Sequence, residues 1–467
     1  MNSRREFFRR SACGFGSVAL SALANAASPL APKAPHFPAR AKSVIFLWMQ
    51  GGPSQMDLFD FKPRLKKEAG NRLPFSLPKN YQAPGIDATK LFGPISPFSP
   101  RGASGLMMSD LLPNLAGVAD ELCVLRAMQA DSEAHAPAVR QLHTGHSTQP
   151  RPSIGSWITY GLGAENQNLP GFITLCPNLS GDQGSTQLFS NSFLPAIFQG
   201  TSIGEPNKAA EAKIRYLDDP SLPRDAQRKH LDLIREMNRE HQHVSRNEPN
   251  MEGMIESFEL AFRMQAEAPG IMDISKESKA TLDLYGIGGK ETDNFGRQCL
   301  LARRMVEAGV RFVQVTDSGW DHHGKLMSGL PTRCKAVDQP IAGLIRDLKA
   351  RGLLNETVLW WSGEFGRTPF DQDLTQGKAP AEDRGREHNP RGFTAWLAGG
   401  GVKPGISHGA TDEYSWEAVE GKVHMHDLHA TLLHLLGLDH ERLTYRYTGR
   451  DYRLTDVYGR VVKEILA

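Results

Sequence analysis

The residues best suited to chemistry fall in four short runs. Trp320-Asp321-His322-His323 places a carboxylate and two imidazoles side by side. Glu364 and Arg367 stand in Ser-Gly-Glu-Phe-Gly-Arg, and His388 closes Arg-Glu-His. The fourth run, Ala130–Pro150, carries His135, Arg140, His143, His146 and several hydroxyls. Carboxylates and imidazoles together make a donor set for a divalent ion (zinc, manganese, iron or calcium), with positions left for water or substrate. Asp321 and His323 are two apart, a spacing that a loop folds onto one ion more easily than a helix does. Glu364, His388 and Asp57 are the further candidate ligands. Such an ion would activate water or polarise an ester, and Arg367 or Arg140 would bind the anion. His135 suits a ligand, a general base or a covalent nucleophile. Ser132 and Thr144 are weaker nucleophile candidates.

Bringing these runs together requires a sheet whose strands end near one another. Ser43–Gln50 is a continuous apolar run ending at Gly51-Gly52-Pro53, the pattern of a strand buried on both faces and followed by a tight turn. Cys123–Leu125, Phe172–Leu175, Phe312–Val315, Thr357–Trp361 and Phe393–Leu397 read as further strands. Helical patterns cover Leu111–Glu121, Ser153–Gly163, Gln298–Gly309, Pro340–Arg351 and Val423–Leu438. The alternation predicts an α/β fold with a mainly parallel central sheet and helices on both faces. All four polar runs follow a strand or sit beside one, where open α/β sheets gather their sites. Ser54, Asp57 and Asp60 lie just past the first strand, where N-capping and solvation are equally good accounts of them. A charged stretch with helical spacing, within about 205–290, reads as a helical insertion, and its His230, His241 and His243 fit a solvated face.

The chain has 467 residues and a formal net charge of +2, so no field of one sign points to nucleic acid or an anionic membrane. Residues 1–26 read as a targeting segment: Arg4-Arg5 before Phe7-Phe8, a mildly apolar run, then Ala24-Asn25-Ala26. This resembles the twin-arginine export signal, which implies the export machinery as a partner and a periplasmic or extracellular destination. Residues 27–40 read as a linker and 41–467 as the folded domain. No later run reaches the roughly 18 apolar residues of a membrane helix. Cys123, Cys176, Cys299 and Cys334 form no CxxC pair and read as buried small residues, with one or two disulfides left open.

Longer motifs carry a family resemblance. They are GGPSQMDLFDFKP, GWDHHG, LNETVLWWSGEFGRTP, GREHNPRGFTAWLAGGGVKPG and HDLHATLLHLLGLDH. From about residue 41 to its end the chain resembles the alkaline phosphatase/sulfatase superfamily, and within it the exported bacterial family called domain of unknown function 1501. The resemblance implies that superfamily's fold and a site for phosphate or sulfate esters. His135-Ala-Pro137-Ala138-Val-Arg140 with Thr144-Gly145 resembles the sulfatase nucleophile run, with His135 at the nucleophile's position. Histidine cannot become formylglycine, which argues against a standard sulfatase mechanism. By the same resemblance Glu364 replaces a ligand aspartate, Phe365 replaces a ligand histidine or asparagine, and Gln50-Gly51-Gly52 replaces paired acids. Two functions follow. One is an exported metal-dependent hydrolase of phosphate or sulfate esters, acting on a small-molecule or glycan ester. The other is a non-catalytic exported protein that binds a sulfated or phosphorylated glycan.

Overall fold

The structure, a computed structural model, describes residues 28–78, 89–215, 217, 221–244, 249–372 and 380–467. The targeting segment read from residues 1–26 lies outside these.

The strands of the central sheet and of the site are β1 (Ser43–Gln50), β2 (Leu122–Gln129), β3 (Phe172–Leu175), β4 (Thr201–Ile203), β5 (Phe312–Ser318) and β6 (Thr357–Ser362). They continue with β7 (Gly366–Gln372), β8 (Gly385–Asn389), β9 (Phe393–Ala398), β10 (Ile406–His408) and β11 (Val423–His424). Nine of them form one sheet in the order β10-β2-β9-β6-β1-β5-β3-β4, with β11 also paired to β2. β1 lies in the middle, parallel to β5 and to β6. All eight of its residues are buried, as its unbroken apolar run requires when both faces are covered. The sheet is mainly parallel, but β9 runs antiparallel to both β2 and β6.

The principal helices are α1 (His135–Thr144), α2 (Ile154–Leu162), α3 (Arg224–Val244), α4 (Pro249–Met272), α5 (Asp293–Glu307), α6 (Leu326–Ala350) and α7 (Met425–Leu435). On one face of β1, Phe46 and Trp48 meet His143 of α1, and Trp360 meets His429 of α7. On the other face, Asp317 of β5 meets Arg333 of α6. α3 and α4 are joined by Arg228–Glu259 and Arg235–Glu256 pairs. Leu260, Met264 and Ala268 of α4 belong to the same apolar core as the sheet.

Three element boundaries differ from expectation. The helix expected at Pro340–Arg351 starts at Leu326 and holds both Pro331 and Pro340. The helix expected from Val423 starts at Met425, because Val423 and His424 pair with β2 as β11. The run Leu111–Glu121 holds only single turns, at Pro113–Ala116 and Ala119–Glu121. Cys123, Cys176, Cys299 and Cys334 are buried and free. Among the described residues no helix is long and apolar enough to cross a membrane.

Candidate metal centre

The carboxyl ends of β1, β2, β5 and β6 lie along one edge of the sheet, and the candidate residues leave from that edge. His135 opens α1, after β2. Asp321 and His323 follow β5, and Glu364 and Arg367 follow β6. β7 and β8 form an antiparallel hairpin in which His388 pairs with Arg367 across the ladder. The fold therefore gathers His135, Asp321, His323 and His388, with one donor atom from each lying within 4.8 Å of all the others.

Asp321 is the hub of this group. His135 Nε2 lies 3.1 Å from its Oδ2, while His323 Nε2 and His388 Nε2 lie 3.0 and 3.3 Å from its Oδ1. Arg367 closes on Oδ1 at 2.6 Å, and Gln183 Nε2 donates to Oδ2 at 3.3 Å. Burial alone would raise the Asp321 carboxyl. Its contacts with the three imidazoles and the Arg367 charge outweigh it and hold the group well below the usual carboxylate range. Burial likewise opposes a charge on His135, yet Asp321 and Glu364 raise that imidazole to about 9. His388 goes the other way: burial and the nearby Arg367 and His135 charges, against its bond to Asp321, hold it down to about 3.

Each imidazole has its second nitrogen anchored. His135 Nδ1 meets Glu364 Oε1 at 2.8 Å, His388 Nδ1 meets the Glu133 carbonyl at 2.7 Å, and His323 Nδ1 meets Gln372 Oε1. A carbonyl only accepts, so His388 carries its proton on Nδ1, and the neutral ring turns a lone pair on Nε2 toward Asp321. Two acceptors then face each other at 3.3 Å, an arrangement that a cation between them relieves. His135 Nε2 is also buried without a well-aligned hydrogen bond. The residues present therefore fit a divalent ion bound by three Nε2 atoms and the Asp321 carboxylate.

The other sequence candidates stand elsewhere. His322 points the opposite way from His323, its ring against Gly329 of α6, and burial lowers it to about 4. Asp57 is fully buried and paired with Arg386, at 2.8 and 3.2 Å. Glu364 lies outside the cluster, accepting from His135, the Gly51 amide and Trp48 Nε1. Arg140 donates to the Ser147 and Thr148 carbonyls. Arg367 is buried and donates to the carbonyls of Gly51, Gly52 and Arg386 as well as to Asp321. The buried Arg367 guanidinium is not open to an anion, and Arg140 has one nitrogen taken up by its two carbonyls. Ser132 Oγ accepts from the Ala134 amide, and Thr144 Oγ1 donates to the Arg140 carbonyl.

Sequence reasoning passed over the anchors Gln372 and the Glu133 carbonyl, together with Trp48, Gln183 and Glu387. Glu387 was adjacent to a named histidine, and its Oε1 lies 3.6 Å from Nδ1 of both His323 and His388. Two glycines make room for the centre. A Cβ on Gly51 (φ +119°) would stand 2.5 Å from the Asp321 amide, and one on Gly52 (φ +81°) would stand 2.7 Å from the Phe365 ring. Two histidines of α7 fix α1 from its far end, His429 bonding to the Leu142 carbonyl and His426 to the Gly145 carbonyl.

The family model described as "Protein of unknown function (DUF1501)" matches residues 41–466. No curated protein matches the chain. Among solved structures, the PsFucS1 sulfatase from Pseudoalteromonas sp. is similar at a TM-score of 0.41 and 14% identity, over 92% of this chain and 72% of that one. The lipoteichoic acid synthase LtaP from Listeria monocytogenes is similar at 0.38 and 11%, over 93% and 79%. Alkaline phosphatase from the Antarctic bacterium TAB5 is similar at 0.32 and 10%, over 86% and 99%.

Proposed function

The chain belongs to the DUF1501 family, and we propose that this member is an exported hydrolase of phosphate or sulfate esters built on one divalent metal ion. His135, Asp321, His323 and His388 would hold the ion. The observation that carries the reading is His388, whose Nδ1 is committed to a carbonyl while its Nε2 faces the Asp321 carboxylate at 3.3 Å. A bound ion of this kind polarises an ester oxygen and supplies a water acidic enough to attack at neutral pH.

The chain's own groups prepare the place. Arg367 neutralises one side of Asp321 and fixes the loop that carries it. Gln183 steadies the other carboxylate oxygen. Phe365 packs against His135 and His388, with ring centroids 4.9 and 4.4 Å apart, and walls the inner side against water. His323, whose side chain is 28% exposed, marks the side open to solvent and substrate. With Arg367 committed to Asp321 and to carbonyls, the counter-charge for an ester's anion falls chiefly to the ion. Export rests on the twin-arginine pattern of residues 1–26.

The test is elemental analysis of the purified protein together with hydrolysis of aryl phosphate and aryl sulfate esters. The expected result is about one ion per chain and turnover of one ester class. No bound metal and no turnover overturns the reading. Metal without turnover favours the non-catalytic ligand-binding alternative.

A further inference from the structure

We infer that Glu364 is a positioning residue for the metal site, setting the tautomer of His135 from outside the ligand set. This deepens the metal-centre reading and rests on it. Glu364 occupies the segment where the superfamily resemblance led us to expect a ligand, yet its carboxylate has other employment. It is fully buried and receives three donors: His135 Nδ1 at 2.8 Å, the Gly51 amide at 3.1 and 3.3 Å, and Trp48 Nε1 at 3.3 Å. Trp48 Nε1 and the Gly51 amide can only donate, so Glu364 meets both as an acceptor. The same acceptor holds a proton on His135 Nδ1, so Nε2, which faces the cluster, is the nitrogen that would ligate an ion. A carboxylate behind a ligand histidine fixes the ring's orientation and raises its basicity.

The same contact narrows the options for His135. Its ring is wedged against Phe365 and His388, with centroids 4.9 and 4.3 Å away, and both nitrogens are engaged by carboxylates. A general base or nucleophile needs freedom toward substrate, which this ring lacks. His135 is a ligand, and Glu364 makes it one.

The experiment loads the full chain with Zn2+ in a calorimeter and with Co2+ for its visible spectrum, in wild type, Glu364→Gln and Trp48→Phe. Glutamine offers one acceptor and one donor to three donors, so one contact fails. We expect Glu364→Gln to weaken Zn2+ binding by about 10–100-fold while the Co2+ band shape stays that of wild type, because no ligand is lost. Trp48→Phe keeps the ring and removes one donor, and weakens binding by a smaller factor. 15N-histidine spectra of the Zn2+-loaded protein, with His135 assigned by His135→Ala, should show Nδ1–H with Nε2 ligating in wild type and a changed pattern in Glu364→Gln. Unchanged affinity in both variants overturns the positioning role alone. A changed Co2+ spectrum in Glu364→Gln overturns it in favour of direct ligation. Wild type that binds neither ion overturns the metal-centre reading itself. Should Glu364→Gln not fold, Trp48→Phe decides: equal affinity to wild type refutes the inference.

Discussion

Arg367 reaches Asp321 Oδ1 at 2.6 Å, and its Nε, Nη1 and Nη2 also donate to main-chain carbonyls. It is therefore a strut rather than an anion receptor. Arg367→Ala leaves several buried main-chain carbonyls without their donor, and should cost at least about 1–3 kcal/mol of folding stability. Urea denaturation measures this. Full stability with only a raised KM for an anionic ester would return Arg367 to the substrate.

Adjacent histidines should separate in their effects. His323→Ala removes an imidazole whose Nε2 lies 3.0 Å from Asp321, so metal content should collapse. His322→Ala removes a ring that packs on α6, so the metal should stay while the thermal midpoint falls. His388→Ala should resemble His323→Ala, with the fold retained by circular dichroism. Equal metal loss in His322→Ala and His323→Ala would refute the assignment.

Gly51→Ala tests how closely the loops must approach. Its Cβ would press on the Asp321 amide at 2.5 Å in a backbone conformation that side chains avoid. We expect about 1–3 kcal/mol of destabilisation and loss of metal binding together, read by melting and calorimetry. Metal binding intact at wild-type strength would show that the loop relaxes at no cost to the site.

Stability should fall with acid through His143. Burial lowers this imidazole from 6.5 to about 4, so between those values the unfolded chain holds a proton that the folded chain does not. Its contribution to stability is thus present above pH 6.5 and is lost as pH falls toward 4. His143→Gln should reduce the acid sensitivity by up to about 1.4 kcal/mol per pH unit across that window. Denaturation curves at pH 7, 6, 5 and 4.5 compare the two proteins. Parallel pH profiles for both would show that His143 is already protonated in the fold.

The sequence disclosed most where one physical cause dominates. β1 and β6 were legible because strands covered on both faces must be apolar throughout. The direction of β9 was not, since Phe-Thr-Ala-Trp-Leu-Ala reads alike either way and the hairpin of β7 and β8 before it decides. Half of α6 was hidden because Pro331 and Pro340 look like helix stops, although the helix runs through both. All four residues of the cluster were among the candidates, since carboxylate and imidazole at strand ends is a local pattern. The choice between His322 and His323 was not, because neighbours in a loop diverge according to a backbone path that composition does not record. Arg367 and Asp57 misled for a related reason: a buried ion pair and a solvent-facing charge are spelled with the same letters.

The four cluster residues come from three places far apart in the chain, at 135, at 321 and 323, and at 388. An ion held among them would tie β2, β5 and the hairpin of β7 and β8 into one closed loop system. It would act on the lifetime of the folded chain as a removable cross-link does, slowing the first opening of the sheet edge more than it changes the sheet's own packing. Survival in a protease-rich surrounding would then track the local availability of the ion, and a chelator would shorten the protein's life before it altered its shape.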